Sequence, residues 1–119
     1  MKVVDKPWGR EIWWAHAKDK YMGKILEINA GERLSLQFHI DKDETIYVTK
    51  GSLKLYYAEQ RDGKLREKTL QVGEAFRVRP GTLHRFSAEF GDVELLEVST
   101  DYPEDVVRVE DDYKRLEGE

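Results

Sequence analysis

Four residues of types that bind divalent metals are spaced so that β-strands would bring them together. Gln37 and His39 lie two positions apart in an alternating stretch of the segment 31–51, and Glu44 begins the next such stretch. Side chains alternate between the two faces of a strand, so Gln37 and His39 share a face. His84 follows far downstream, behind a Pro-Gly turn. We therefore predict a divalent-metal site at Gln37, His39, Glu44 and His84 inside a small β-barrel.

The other face of the same segment is apolar. Leu34, Leu36 and Phe38 alternate with the polar residues, so we predict that they point outward while Gln37 and His39 point inward. An exposed apolar sheet face favours association. We therefore expect a homodimer that forms through these three apolar side chains.

Short segments with strand character run along most of the chain and are separated by glycine turns. They alternate in polarity or are rich in β-branched and aromatic residues, which is typical of strands. The segments with these signals include 1–5, 22–29, 34–39, 44–50, 53–57, 68–72, 75–78, 93–99 and 106–109. About nine or ten strands of this kind predict a single all-β domain over residues 1–119, a barrel or a sandwich, with a short acidic C-terminal segment.

Three tryptophans lie within seven positions near the N-terminus, at Trp8, Trp13 and Trp14. Large aromatic side chains dominate cores and interfaces. A barrel lid or a subunit contact is therefore the simpler interpretation of this cluster, and a platform on which a sugar stacks is the alternative.

The composition excludes several classes of partner. The net charge is −4 and the basic residues are scattered among acidic ones, which gives no footprint for nucleic acid or an anionic membrane. No apolar run reaches the roughly 18 residues that a membrane helix needs, and no signal-peptide segment is present. Cysteine is absent, so neither disulfides nor thiolate metal sites can form. We expect a cytoplasmic protein that binds neither nucleic acid nor membranes.

Two spaced motifs resemble the signatures of the cupin superfamily. The first consists of Gly31, Gln37, His39, Glu44 and Gly51, with glutamine where the first histidine usually stands. The second consists of Gly73 and the segment 80–84, which ends at His84. The resemblance implies a jelly-roll barrel that holds a divalent metal with Gln37, His39, Glu44 and His84.

Within the cupins, the sequence is most similar to the C-terminal isomerase domain of type II mannose-6-phosphate isomerase/mannose-1-phosphate guanylyltransferase. Four pieces carry this similarity, namely Lys-Pro-Trp-Gly at 6–9, Leu-Ser-Leu-Gln-Phe-His at 34–39, Pro-Gly-Thr-Leu-His-Arg at 80–85 and the acidic segment 105–115. The nucleotidyltransferase domain of that family has no counterpart in these 119 residues. The chain is therefore not expected to make a nucleotide sugar by itself.

The resemblance implies zinc as the metal, and the donor types leave other ions open. Imidazole suits zinc, iron, nickel or copper, whereas carboxylate and amide oxygens extend the choice to manganese or cobalt. With four protein donors, an octahedral ion would keep positions open for substrate hydroxyl groups.

The function that this similarity implies is a metal-dependent aldose–ketose isomerase of a sugar phosphate, with mannose 6-phosphate as the best-known case. The reaction needs a base beside the carbonyl group and an electrophile for the enediolate. Glu44 and a water on the metal are the two candidates for the base. Lys24 and Arg85 are candidates for binding phosphate or stabilising the enediolate. Arg108 is a lesser phosphate candidate, for which a solvent-exposed salt bridge is the simpler interpretation.

Two other functions compete with the isomerase. A non-catalytic cupin that binds a metal or a sugar is favoured by Ile40, Asp41 and Thr45, which stand where the isomerase-like family commonly has histidines. An oxidative cupin such as a dioxygenase is disfavoured by Gln37, because those enzymes more often keep a His-x-His core.

Overall fold

The chain folds as β-strands in a computed structural model that describes residues 1–59 and 63–114. Within these residues there are eleven strands and no helix. The strands are β1 (Lys2–Lys6), β2 (Gly9–Ala17), β3 (Tyr21–Ile28), β4 (Leu36–Phe38), β5 (Glu44–Lys50), β6 (Leu53–Ala58), β7 (Arg66–Leu70), β8 (Ala75–Val78), β9 (Leu83–Ser87), β10 (Val93–Thr100) and β11 (Val107–Glu110). In the described part of the chain, no helix has the length and apolar character that crossing a membrane requires. Arg115, the last residue of the acidic segment that carries the family similarity, lies outside the described residues.

The strands form two antiparallel sheets that enclose the core. One sheet has the order β1-β2-β3-β10-β5-β8 and the other the order β11-β4-β9-β6-β7. Strands that are distant in sequence, such as β3 and β10, are neighbours because the chain crosses repeatedly between the sheets, as in a jelly roll. The main core consists of buried apolar side chains from both sheets, including Leu26, Ile46, Val48, Leu55, Phe86 and Leu95. The predicted all-β jelly roll is confirmed.

Strand β4 is shorter than predicted, and this changes the orientation of one side chain. It covers only Leu36–Phe38, and before it only an isolated bridge joins Arg33 to Ser87. The strict alternation therefore does not extend back to Leu34, which packs in the main core. The prediction that Leu34 points outward is wrong because the backbone at this residue is not part of a regular strand.

Leu36 and Phe38 are also buried within the single chain. Each is 8% exposed, and they pack with Ala58, Leu83 and Val107 in a second apolar cluster. These side chains therefore leave no open apolar face on β4. The homodimer predicted through them loses its support.

The C-terminal segment 101–114 docks against the five-stranded sheet. Its strand β11 pairs with β4, the strand that carries Gln37. Arg33 donates two hydrogen bonds to the Asp112 carboxylate, at 2.7 and 2.9 Å, and the Tyr113 hydroxyl donates to Glu32. These contacts place the segment beside the residues predicted to bind a metal.

Candidate metal site

Three of the four predicted metal ligands meet inside the barrel. His39 follows β4 and His84 lies in β9 of the five-stranded sheet, whereas Glu44 begins β5 of the six-stranded sheet. His39 Nε2 and His84 Nε2 lie 3.6 and 3.5 Å from the same carboxylate oxygen, Glu44 Oε1. All three residues are buried, and none is more than 3% exposed. The packing of the two sheets thus brings two imidazoles and a carboxylate to one point.

The hydrogen bonds of the two histidines leave their Nε2 atoms facing this point. His39 Nδ1 donates to the carbonyl of Asp105 (2.5 Å), and His84 Nδ1 donates to the carbonyl of Thr82 (2.9 Å). A carbonyl oxygen can only accept, so Nδ1 is the donor in both rings, and in a neutral imidazole Nε2 is then the nitrogen that carries the lone pair. Neither Nε2 has a hydrogen-bond partner among the described residues.

A divalent cation fits these donors. Two imidazole lone pairs aimed at a carboxylate oxygen repel it unless a positive charge lies among them. In a tetrahedral site with bonds of about 2.1 Å, neighbouring donor atoms are about 3.4 Å apart, which is close to the separations of 3.5 and 3.6 Å found here. Metal-binding histidines normally donate their second ring N–H to a carbonyl or carboxylate, as both histidines do.

Gln37 lies beside the three converging residues. It is directly opposite His84 in the pairing of β4 with β9, and it lines the same cavity as His39. Its Oε1 accepts a hydrogen bond from the Ser35 hydroxyl (2.6 Å). A carbonyl oxygen has a second lone pair, so this contact leaves Gln37 able to act as an oxygen donor.

A buried lysine that the sequence analysis did not identify joins the site. Lys42 Nζ lies 3.1 Å from Glu44 Oε2 and 3.1 Å from Glu97 Oε2. Burial raises the pKa of Glu44, but the Lys42 ammonium is the largest of the opposing effects, and the pKa lies well below its usual range. Burial and the nearby Glu44 carboxylate raise the pKa of Glu97. Lys42 therefore occupies Oε2 of Glu44 and leaves Oε1, the oxygen that faces the histidines, for a metal.

A cavity of about 250 Å³ opens beside Gln37 and His39. Its described wall contains the basic residues Lys2, Lys6, Lys24, Lys42 and Arg108 and the acidic residues Glu11, Glu104 and Asp105. The predicted site residue Lys24 is buried here, with Nζ 3.3 Å from Glu11 Oε1 and 4.7 Å from the centre of the Trp13 ring. The Trp13 indole donates to the same Glu11 oxygen (3.0 Å). Glu11, which the sequence analysis passed over, is thus the partner of Lys24 in the cavity.

The three tryptophans do not form one surface. Trp8 belongs to the core, and Trp13 lines the cavity. Trp14 is 45% exposed and lies over Gly23. The cluster is therefore neither a single lid nor a single stacking platform.

Arg85 lies away from the candidate site. It follows His84 in β9, so its side chain points to the opposite face of the sheet. Its guanidinium is buried and donates to the carbonyl of Leu34 (2.8 Å) and to the side chain and the carbonyl of Glu110 (3.1 Å each). The structure therefore does not bring Arg85, predicted to bind phosphate or an enediolate, together with His39, Glu44 and His84; Arg85 holds the C-terminal strand instead.

The turn between His39 and Glu44 is held by Asp105 of the C-terminal segment. The Asp105 carboxylate accepts hydrogen bonds of 2.7 to 2.9 Å from the backbone N–H groups of residues 40–42. Burial raises the pKa of Asp105, but these three hydrogen bonds lower it below its ordinary value. Its carbonyl also accepts the Nδ1–H of His39. One residue therefore orients both the turn and a predicted metal ligand.

The substitution Asp105→Ala is expected to lower the affinity for zinc by about 10-fold, the lower end of the usual cost of losing an outer partner of a ligand, because alanine removes the carboxylate that holds the turn but keeps the carbonyl that accepts from His39. The three N–H groups lose their common acceptor, so the turn that carries His39 and Glu44 becomes less ordered. Isothermal titration calorimetry on protein freed of metal measures the effect. Glu104→Ala, which removes an exposed acid from the same cavity wall, should bind zinc much as the wild type does. An equal loss of zinc affinity in both variants would mean that the loss comes from removing a negative charge and not from the hydrogen bonds of Asp105.

The chain matches known proteins at the level of the family and the fold. The cupin domain family matches residues 24–99, which is more than half of the chain. No curated protein sequence is significantly similar to it.

Solved structures with a similar fold come from proteins of different kinds. The capsular polysaccharide assembling protein CapF from Staphylococcus aureus is 14% identical with a TM-score of 0.81, over 92% of this chain and 31% of the CapF chain. The oxalate decarboxylase–formate complex from Lactobacillus farciminis is 17% identical with a TM-score of 0.75, over 91% of this chain and 33% of that one. KdgF from Halomonas sp. is 19% identical with a TM-score of 0.67, over 86% of this chain and 89% of KdgF. The chain thus spans about a third of the first two proteins, and identities this low indicate a common fold.

Proposed function

Because the chain belongs to the cupin family, we propose that it binds a divalent metal ion and interconverts the aldose and ketose forms of a small sugar phosphate. The observation that carries this proposal is the pair of histidine Nε2 atoms, without hydrogen-bond partners in the described structure, that face Glu44 beside a cavity whose wall has more basic than acidic side chains. Mannose 6-phosphate is the first substrate to test, as the sequence resemblance implies.

We assign the metal to His39, Glu44 and His84, with Gln37 as a further oxygen donor. Nitrogen and oxygen donors without thiolate suit zinc, manganese, iron, nickel or cobalt, and zinc is the ion we propose first. When bound, such an ion withdraws electron density from substrate oxygens and stabilises negative charge that develops on them.

The cavity suits a small anionic substrate. Basic side chains outnumber acidic ones on its wall, which favours an anion. Its volume of about 250 Å³ lies below the range of about 300–1,000 Å³ for drug-sized ligands, so a metabolite fits better than a polymer. We assign the phosphate group to Lys2, Lys6 and Arg108, since guanidinium and ammonium groups both pair well with phosphate.

Glu11 is the residue that we propose moves the proton between the two carbons. Isomerisation transfers a proton from C2 of the aldose to C1, and a second proton moves between the oxygens on these carbons. Burial raises the pKa of Glu11, but Lys24, Lys6 and the Trp13 indole lower it below its ordinary value, so it is ionised at neutral pH as a base must be. Lys24, 3.3 Å from Glu11, lies where it can stabilise charge on the substrate oxygens. Glu44 serves better as a metal ligand than as the base, since Lys42 and both histidines already surround it.

Glu11→Gln is expected to lower kcat for conversion of mannose 6-phosphate to fructose 6-phosphate by at least about 100-fold, because general acid–base catalysis contributes about 10²- to 10⁴-fold. The amide keeps the size of the side chain but cannot take up the proton, so metal content should not change. Glu27→Gln is the matched control, because Glu27 lies on the neighbouring strand and binds Arg10 on the outer face. Wild-type kcat in the Glu11 variant would exclude Glu11 as the base.

A non-catalytic cupin that binds a metal or a sugar is the second candidate function. Lys42 favours this function, because its buried ammonium already neutralises part of the negative charge that Glu44 would offer to a catalytic metal ion. Stoichiometric metal binding without turnover of mannose 6-phosphate or of other small aldose phosphates would support this function and contradict the isomerase.

A further inference from the structure

One aromatic side chain of the cavity wall contacts three of the charged groups that the proposed reaction uses. The Trp13 indole donates a hydrogen bond to Glu11 Oε1 (3.0 Å). The Nζ atoms of Lys2 and Lys24 lie 4.5 and 4.7 Å from the centre of the same ring. An ammonium group within about 6 Å of an indole ring is attracted by its π-electrons. Trp13 therefore contacts the proposed base, the cation beside that base and one of the proposed phosphate ligands.

The pairing of the first three strands brings these groups together. Trp13 is directly opposite Lys2 of β1 and directly opposite Lys24 of β3, so the three side chains form one row across the sheet. Glu11 lies two residues before Trp13 on β2, and residues two apart on a strand share a face. All four side chains line the cavity. Two ammonium groups thus reach the ring from the two neighbouring strands, and the indole N–H reaches the carboxylate along its own strand.

A β-bulge follows Trp13 in β2. The pairing register between β2 and β3 shifts between Trp13 and Ala15, so Trp14 is an extra residue in β2. A bulge bends its strand and re-aims side chains, and bulges are frequent beside active sites. Trp13 lines the cavity, whereas the half-exposed Trp14 lies over Gly23. The chain therefore offers, next to Trp13, a second tryptophan with different surroundings that serves as a matched control.

The contacts of Trp13 restrict side chains that have several rotatable bonds. The indole N–H and Lys24 Nζ, at 3.0 and 3.3 Å, both contact Oε1 of Glu11. Ordering glutamate and lysine side chains costs conformational entropy, and holding reacting groups in the productive geometry accelerates a reaction. We propose that Trp13 is a positioning residue whose N–H orients Glu11 and whose ring holds Lys2 and Lys24 at the cavity. This inference rests on the proposed function, in which Glu11 moves the proton and Lys2 binds phosphate.

The hydrogen bond from Trp13 also influences the pKa of Glu11. Burial raises this pKa, but Lys24, Lys6 and the Trp13 indole lower it below its ordinary value. The other titratable groups around Glu11 are the basic residues of the cavity wall on β1, β3 and β11 and in the turn after β4, together with Glu97 on β10, His39, Glu104 and Asp105. Trp13→Phe leaves all of them in place. Removing the indole N–H alone should therefore raise the pKa of Glu11.

Two substitutions separate the two kinds of contact that Trp13 makes. Trp13→Phe keeps a ring for the lysines but removes the N–H, and it is expected to lower kcat for mannose 6-phosphate about 10-fold with little change in KM, because a hydrogen bond to a charged group is lost. Trp13→Leu removes the ring as well and should also raise KM about fivefold. Trp14→Phe should leave kcat and KM unchanged. Wild-type kcat and KM in both Trp13 variants would overturn the proposal.

A second test does not depend on turnover, so it separates a failure of this inference from a failure of the proposed isomerase. Carbon NMR of the glutamate carboxyl groups in metal-free protein measures the pKa of Glu11, with Glu11→Gln to assign its resonance. This pKa should rise by about one unit in Trp13→Phe and stay unchanged in Trp14→Phe. An unchanged pKa in Trp13→Phe would overturn the proposal even if the protein isomerises mannose 6-phosphate. The expected rise in a protein without turnover would support positioning by Trp13 and contradict the isomerase.

The same metal-free protein tests the contacts with the lysines. Calorimetric titration with inorganic phosphate should show binding about fivefold weaker in Trp13→Leu than in Trp13→Phe, because only phenylalanine retains a ring for the ammonium groups. Equal phosphate affinity in the two variants would contradict the role of the ring.

A final measurement needs no substitution of Trp13 and so does not depend on the folding of its variants. In the wild type, the indole N–H resonance of Trp13 should shift over the pH range in which Glu11 titrates, and this shift should be absent in Glu11→Gln. The indole resonance of Trp14 should not follow Glu11. A Trp13 resonance that is insensitive to the ionisation of Glu11 would refute the hydrogen bond on which the proposal depends.

Discussion

Replacing His39 or His84 with alanine is expected to reduce the affinity for zinc by more than about 100-fold. Each substitution removes one of the two Nε2 donors that face Glu44 Oε1. Losing an outer partner of a ligand costs about 10- to 100-fold in metal affinity, and losing the ligand itself removes a bond to the metal. The remaining histidine and Glu44 leave too few donors for tight binding.

His16→Ala provides the matched control, because His16 is the third of the three histidines in the chain and binds Asp101 at the surface (2.7 Å). Calorimetric titration of metal into chelator-treated protein measures the affinity. The rise in melting temperature on adding metal is a second readout, because a ligand that binds only the folded state stabilises it. Wild-type affinity in His84→Ala would refute the ligand assignment. A loss of equal size in His16→Ala would indicate a non-specific site.

The strands could be predicted because their signals are local. Strand β5 covers Glu44–Lys50, as predicted, because β-branched residues fill this stretch and a turn glycine ends it. The predicted strand 75–78 likewise agrees with β8. The spacing of the two motifs also predicted that Glu44 approaches the two histidines, because this spacing reflects where the strands of the barrel meet. The binding of a metal at these residues stays a prediction.

The contacts around the site depend on packing between distant segments, so the sequence analysis did not predict them. Lys42 lies in a turn, where alternation does not apply, and its contact with Glu97 exists only because β10 packs beside β5. Glu97 did carry a signal, since it occupies an inward position of β10 among Val93 and Leu95. Arg85 could have been excluded from the sequence alone, because a residue adjacent to His84 in a strand must face the other way.

Replacing Lys42 with methionine is expected to lower the free energy of unfolding of the metal-free protein by about 3–5 kcal/mol, the usual cost of removing one partner from a buried ion pair. Burial lowers the pKa of Lys42, but Glu44 and Glu97 outweigh it and raise that pKa above its ordinary value, so the group is charged. Methionine preserves most of the volume and removes the charge. Two buried carboxylates then face each other without a cation, and urea unfolding measures the loss.

Lys50→Met is the control for this prediction, because Lys50 also pairs with a glutamate but its side chain is 75% exposed. It should change stability by less than about 0.5 kcal/mol. A second substitution, Glu97→Gln, should restore part of the stability lost in Lys42→Met, because it removes one of the two repelling charges.

The effect of Lys42→Met should diminish as the pH falls. In the wild type the pKa of Glu44 is lowered, so the stability it contributes is present above its unfolded pKa and is lost at lower pH. In the variant, burial and mutual repulsion raise the pKa of the carboxylates, so their cost disappears as they take up protons. The free energies of unfolding of the wild type and the variant therefore converge at acidic pH.

A divalent metal should also bind the variant more tightly, because no ammonium competes for Glu44. A variant within 1 kcal/mol of the wild type at neutral pH would show that Lys42 does not balance these carboxylates.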